Sequence, residues 1–119
     1  MEIVFYAKKD GTKPANEFLN SLDVKMRIKM STLIALLEEY GIKIREPYSK
    51  PLTNGIFELR AKVGSDISRV LYFFFVGNKA VITNGFTKKT IKTPKNEIEL
   101  AEKYRADYLK REGEKNGRV

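Results

Sequence analysis

Three β-type runs follow one another between Ile56 and Thr83, each separated from the next by a glycine-bearing turn, and a chain so built folds as an antiparallel meander. The first run alternates: Phe57, Leu59, Ala61 and Val63 point to one side, Glu58, Arg60 and Lys62 to the other. Gly64-Ser65-Asp66 supplies the turn into the second run, about Ile67 to Val76. That run is apolar on both faces beyond Leu71, through Tyr72, Phe73, Phe74 and Phe75, which predicts a central strand covered on both sides. Gly77-Asn78 makes the next tight turn, and Ala80-Val81-Ile82-Thr83 opens a further strand.

Around the meander the pattern changes period. Glu2 to Ala7 is β-branched and aromatic and ends at Asp10-Gly11, which predicts a first strand. Pro14 suits the first turn of a helix whose face carries Phe18, Leu19 and Leu22. Asp23 is the expected N-cap of a longer helix, because Met26, Met30, Leu33, Leu37 and Tyr40 recur at spacings of three and four before Gly41. These residues read as core. Residues 42–54, broken by Pro47, Pro51 and Asn54-Gly55, read as loop, with Tyr48, Lys50 and other cations beside the sheet. Thr93 as N-cap and Pro94 at the first position open a last helix, with Ile98, Ala101, Tyr104 and Tyr108 on its apolar side. The order is β-α-α-β-β-β-α. The expected fold is therefore α+β, a mainly antiparallel four-stranded sheet with an N-terminal helical hairpin and a C-terminal helix. Residues 1–112 form a single domain and 113–119 a frayed tail.

Charge is distributed unevenly. Eight Lys/Arg stand against two Asp/Glu in residues 56–95, whereas the segments before and after carry nine against seven and six against six. The excess behind the net charge of +8 thus lies on a predicted sheet and its exit loop, the footprint of a phosphate-binding surface. The chain has no Cys and no His, so disulfides, thiolate metal sites and a histidine acid–base pair are absent. Glu58 and Asp66 are the sole acids of that segment, too few for a carboxylate cage around Mg²⁺. The longest apolar run is far short of a bilayer span and the N-terminus lacks a signal-peptide core, which makes a cytoplasmic protein without membrane attachment the expectation.

The candidate site gathers Arg60 and Lys62 on one strand and Arg69 on the next, with Lys88 and Lys89 closing a cationic bowl from the last strand's exit. A pairing centred on residues 64–66 brings 60 near 70 and 62 near 68, and whether Arg69 shares the face of Arg60 turns on a register the sequence leaves open. Arginine grips phosphate bidentately. Crowding by cations favours the neutral form of a lysine, so Lys62 and Lys88 are the proton-transfer candidates. RNA brings its own nucleophile in the 2′-OH, leaving the protein to position it and stabilise charge on the phosphate oxygens. Tyr48, Lys50, Glu58 and Lys92 complete the candidate RNA contacts, the tyrosine by stacking. A passive RNA binder would carry the same face.

The segments I-F-E-L-R-A-K (56–62), S-R-V-L-Y-F-F (68–74) and I-T-N-G-F-T-K-K-T-I-K-T-P (82–94), in this order, resemble the RelE/ParE toxin superfamily, in particular its HigB-like, phage-derived branch. The resemblance spans about residues 2–112. It implies a RelE-like α+β fold and a type II toxin acting as a ribosome-dependent mRNA interferase, an endoribonuclease that cleaves through 2′-OH attack with no metal and no cofactor. It also implies a helix-turn-helix, HigA-like antitoxin as partner, beside the ribosome and mRNA. By position, Arg60 and Lys62 match strand residues that contact the scissile phosphate, Arg69 a transition-state clamp, and Lys88 and Lys89 the basic exit of the last strand. Relatives with a C-terminal His or Tyr acid–base differ from this chain, which has no His and whose Tyr104 and Tyr108 read as core. Two other readings stay open: a ParE-like gyrase inhibitor without enzymatic activity, and a nucleic-acid-binding module.

Overall fold

The computed structural model describes residues 1–116. Strand β1 (Glu2–Phe5) leads into helices α1 (Pro14–Ser21) and α2 (Val24–Tyr40), followed by a short 3-10 turn at Gly41–Lys43. Strands β2 (Ser49–Thr53), β3 (Ile56–Val63), β4 (Asp66–Phe75) and β5 (Lys79–Lys88) then run consecutively into α3 (Lys95–Asn116). The fold is α+β, but the sheet differs from the expected one. It has five strands in the order β1-β5-β4-β3-β2, and it is mixed, because β1 pairs parallel to β5. The added strand is β2, in the segment read as loop. Pro51 within it cannot donate to a ladder, which a sheet-edge position tolerates, and the register shifts between Pro51 and Thr53.

The helical hairpin follows the sequence pattern. Pro14 starts α1, and the Asp23 carboxylate accepts from the Met26 amide at 2.9 Å to cap α2. Met26, Met30, Leu33 and Leu37 are buried against Leu59, Ala61, Val70, Tyr72, Ala80 and Ile82 on one face of the sheet. Tyr40, assigned to the same stripe, is exposed at the helix end. Gly85 of β5 marks where α1 presses closest. A methyl group there would run into the Phe18 ring and come within 2.9 Å of the Arg69 carbonyl, so only glycine fits.

The opposite face is only partly covered. Helix α3 lays Ala101 and Tyr104 over Ile56, Leu71, Phe73, Val81 and Phe86, and runs on through 113–116, past the expected end of the domain. β4 lies at the centre of the sheet, as its two-sided apolar run requires. No helix among the described residues is long and apolar enough to cross a membrane. The end of the sheet carrying Arg60, Lys62 and Lys88 is left to the exit segment between β5 and α3.

Candidate nucleic-acid interface

Register decides what this face contains. Val63 pairs with Asp66, so the β3–β4 turn holds two residues, and Arg60 stands directly opposite Arg69 with Lys62 opposite Ile67. The sequence reading placed residue 60 near 70. The observed register differs by one, and since side chains alternate, that one step puts both arginines on the same face. Across β4, Ile67 pairs in turn with Lys88, so Lys62 and Lys88 occupy one row, two strand spacings or roughly 10 Å apart. Across the other edge Lys50 of β2 pairs with Glu58. Glu58, Arg60, Lys62, Arg69, Lys88 and Lys50 thus share the face on which α3 packs.

Sharing a face does not mean sharing solvent. Glu58 and Arg69 are buried, with 1% and 0% of their surface exposed. The expectation that both would meet a ligand does not hold here, because the exit segment of residues 89–93 covers them. Glu58 Oε1 lies 3.1 Å from Arg60 Nε, and Oε2 lies 3.8 Å from Arg69 Nε and accepts from the Thr93 hydroxyl. The Thr93 side chain, expected to cap α3, is therefore spent on Glu58, while the first turn of α3 rests on the Pro94 carbonyl, which accepts from Glu97 and Ile98. Arg69 donates to the carbonyls of Ile67 at 3.4 Å, Thr90, and Ile91 at 2.8 Å, and its guanidinium stands 5.4 Å from the centre of the Phe86 ring. Arg60 also donates to the Ile91 carbonyl. One carboxylate serves two guanidinium groups, so the buried set keeps one uncompensated positive charge. Burial first, and then the neighbouring Arg60 charge, pull the Arg69 guanidinium below its ordinary range, against the opposing pull of Glu58.

The remaining predicted residues are accessible. Lys50, Lys62, Lys88, Lys89, Lys92 and Tyr48 are exposed, and the Arg60 side chain retains 21% of its surface. A cleft of about 430 Å³ opens between α2, the 47–48 loop and the exit segment, with Tyr48, Pro47, Leu33 and Ile91 as apolar walls and Arg60, Lys62 and Lys29 as its cations. Lys29 donates to the Lys62 carbonyl at 2.5 Å, which brings a helix cation to the edge of β3. The sequence reading passed over Lys29, although its place on the polar face of α2 was readable, and over Ile91, 73% exposed, whose isolation in a lysine-rich segment was a signal. Beside this cleft a smaller one joins Lys50 to Arg60, with Glu46 and Pro47 on its rim. Hollows of about 590 Å³ and 640 Å³ lie elsewhere but gather no excess of cations: the first balances Arg111 and Lys115 with Glu112 and Glu114, the second Arg45 with Glu46. Among the described residues no group of three or more carboxylates is placed to hold a metal ion.

An apolar slot ringed by guanidinium and ammonium groups suits a planar base joined to a phosphate. Two comparisons bear on this. A family model described as Phage derived protein Gp49-like (DUF891) matches residues 17–106, which includes every residue of the face described above. No curated protein gives a significant match.

Proposed function

Since the chain belongs to the phage-derived, Gp49-like family, a membership compatible with a toxin of the toxin–antitoxin type, we propose that it is such a toxin, of the HigB-like branch, and that it cleaves mRNA on the ribosome. The observation that carries this reading is the row of exposed cations on a rigid sheet, Lys62 and Lys88 on either side of β4 with Arg60 beside them and Tyr48 at the rim. Because Arg60 and Arg69 more than offset its charge, Glu58 does not make that row repel an approaching phosphate.

In this reading Arg60 and Lys62 take the non-bridging oxygens of one phosphodiester, and Tyr48 and Ile91 sandwich the adjacent base. The substrate's 2′-OH attacks the phosphorus and gives its proton to one lysine acting as general base, and the 5′-oxygen departs with a proton from another acting as general acid. We assign these transfers to Lys62 and Lys88, which share one row of the sheet. A pentacovalent phosphorane gathers negative charge on its equatorial oxygens, and fixed cations stabilise it more than the ground state. Lys89, Lys92 and Lys50 hold the flanking backbone. A helix-turn-helix antitoxin covers this face when the toxin is silent, and the working compartment is the cytoplasm.

Expression in a bacterial host, followed by mapping of mRNA 5′ ends on translated and untranslated messages, tests the reading. Cuts are expected within translated codons only, and Lys62→Ala combined with Lys88→Ala should reduce them about a hundredfold. Intact messages alongside arrested DNA supercoiling would replace the reading with gyrase inhibition; intact messages and normal supercoiling would leave a binding module.

A further inference from the structure

We infer that Arg69 is a positioning residue: its buried guanidinium pins the exit segment of residues 89–92 and thereby fixes where Lys89 and Lys92 stand. The pinning is a statement about this chain alone, and its effect on RNA rests on the function proposed above.

Residues 89–92 have neither helix nor strand to hold them. Within the segment, the Thr90 hydroxyl reaches the Lys92 carbonyl at 3.3 Å, a contact between neighbours that ties the segment to nothing else. What does tie it down comes from β4 and β3. Arg69 donates to the carbonyls of Thr90 and Ile91, Arg60 adds a second bond to Ile91, and at the exit the Thr93 hydroxyl donates to Glu58. A guanidinium presents five donors in a rigid fork, so one arginine can span two successive carbonyls and a third on its own strand, which a single ammonium cannot do in that geometry.

The arrangement also explains why an arginine is buried beside another arginine with one carboxylate between them. The carbonyl oxygens of Ile67, Thr90 and Ile91 complete the solvation that Glu58 shares out, and lifting the segment would strand buried donors. Arg69 therefore faces inward with both terminal nitrogens committed to carbonyls, while its Nε, without a hydrogen-bond partner, lies 3.8 Å from the Glu58 carboxylate. Lys89 and Lys92, which face outward, owe their position to it.

Tryptic nicking of the full chain after Lys88, Lys89 and Lys92, followed by mass spectrometry, reads the pinning with no RNA present. Arg69→Lys keeps the charge but loses the fork, and Thr93→Val removes the second anchor with little change in volume. Each is expected to speed nicking in the segment about tenfold, and Thr93→Ser to restore the parent rate. Binding of a single-stranded oligoribonucleotide then reads the consequence: Lys89→Ala/Lys92→Ala should weaken the parent about fivefold but the Arg69→Lys chain hardly at all, since a loose segment has already lost those lysines. Unchanged nicking in both variants, with Lys89→Ala/Lys92→Ala costing the same factor in either background, would overturn the inference. If Arg69→Lys does not fold, the Thr93 pair carries both readouts. A parent chain that binds no RNA would sink the proposed function while the nicking rates still decide the pinning.

Discussion

Two arginine–carboxylate–hydroxyl sets fasten α3 to the sheet, one at its entry and one near its end, and they differ by a single charge. Near the end, the Tyr6 hydroxyl donates to Asp107 at 2.5 Å and Arg111 meets the same carboxylate at 2.7 Å, with the guanidinium 5.4 Å from the Tyr6 ring. One cation balances one anion, and a second bond from Arg111 to the Ala7 carbonyl joins the helix to the chain just after β1. At the entry, Glu58 and Thr93 face two arginines. The balanced set needs nothing from outside. The overfull one is a fastener with a charge left over, and it underlies the face where the exposed lysines collect. Comparable chemistry thus gives a structural rivet in one place and the floor of a candidate site in the other.

The sharpest way to break the contrast is Glu58→Gln. It leaves two guanidinium groups opposed without a counter-charge, one of them fully buried, and should lower stability by about 3 kcal/mol. Urea unfolding would show this as a fall in midpoint at unchanged slope. Asp107→Asn should cost less, about 1 kcal/mol, because Arg111 and Asp107 keep 35% and 26% of their side-chain surface in solvent. Equal losses from the two changes would abolish the distinction drawn here.

Alkaline titration sharpens the balanced set. Burial foremost, and the bond to Asp107 next, raise the Tyr6 hydroxyl from 10.0 to about 12. A group whose folded value is raised stabilises the fold fully below its unfolded value and loses that contribution as pH climbs through the folded one. Stability from Tyr6 should therefore decline between pH 10 and about 12, and Tyr6→Phe should remove that component of the decline. The smallest effect belongs to the overfull set. Sulfate should raise the melting temperature more than chloride at equal ionic strength, by about 2 °C beyond the general salting-out gain, and that extra gain should vanish in Lys62→Glu/Lys88→Glu.

How much of this was legible in the sequence depended on distance along the chain. The strands β3, β4 and β5 announced themselves because alternation and turn chemistry are local. Strand β2 did not: Ser49 to Thr53 is short, carries Pro51 and owes its existence to pairing with β3. Nor did the partner of β1, since Glu2–Phe5 lies beside Lys79–Ile82, which no local pattern ties to it. In the site, the exposure of Lys62, Lys88 and Tyr48 followed from their polar or loop positions. The burial of Glu58 and Arg69 could not follow from them, because charge by itself argues for the surface. Thr93 ahead of Pro94 carries every mark of a helix cap, yet a buried carboxylate claimed its hydroxyl.

The two-residue turn between Val63 and Asp66 has a consequence for how such a chain can change over time. A single codon gained there, with the turn kept at two residues, would preserve every member of the constellation and still destroy it, because Arg69 would swing beneath the helical hairpin and Ser68 would take its place. Two codons gained together would restore the alternation. Lineages carrying this hairpin should accordingly show length changes in that turn by twos, or none.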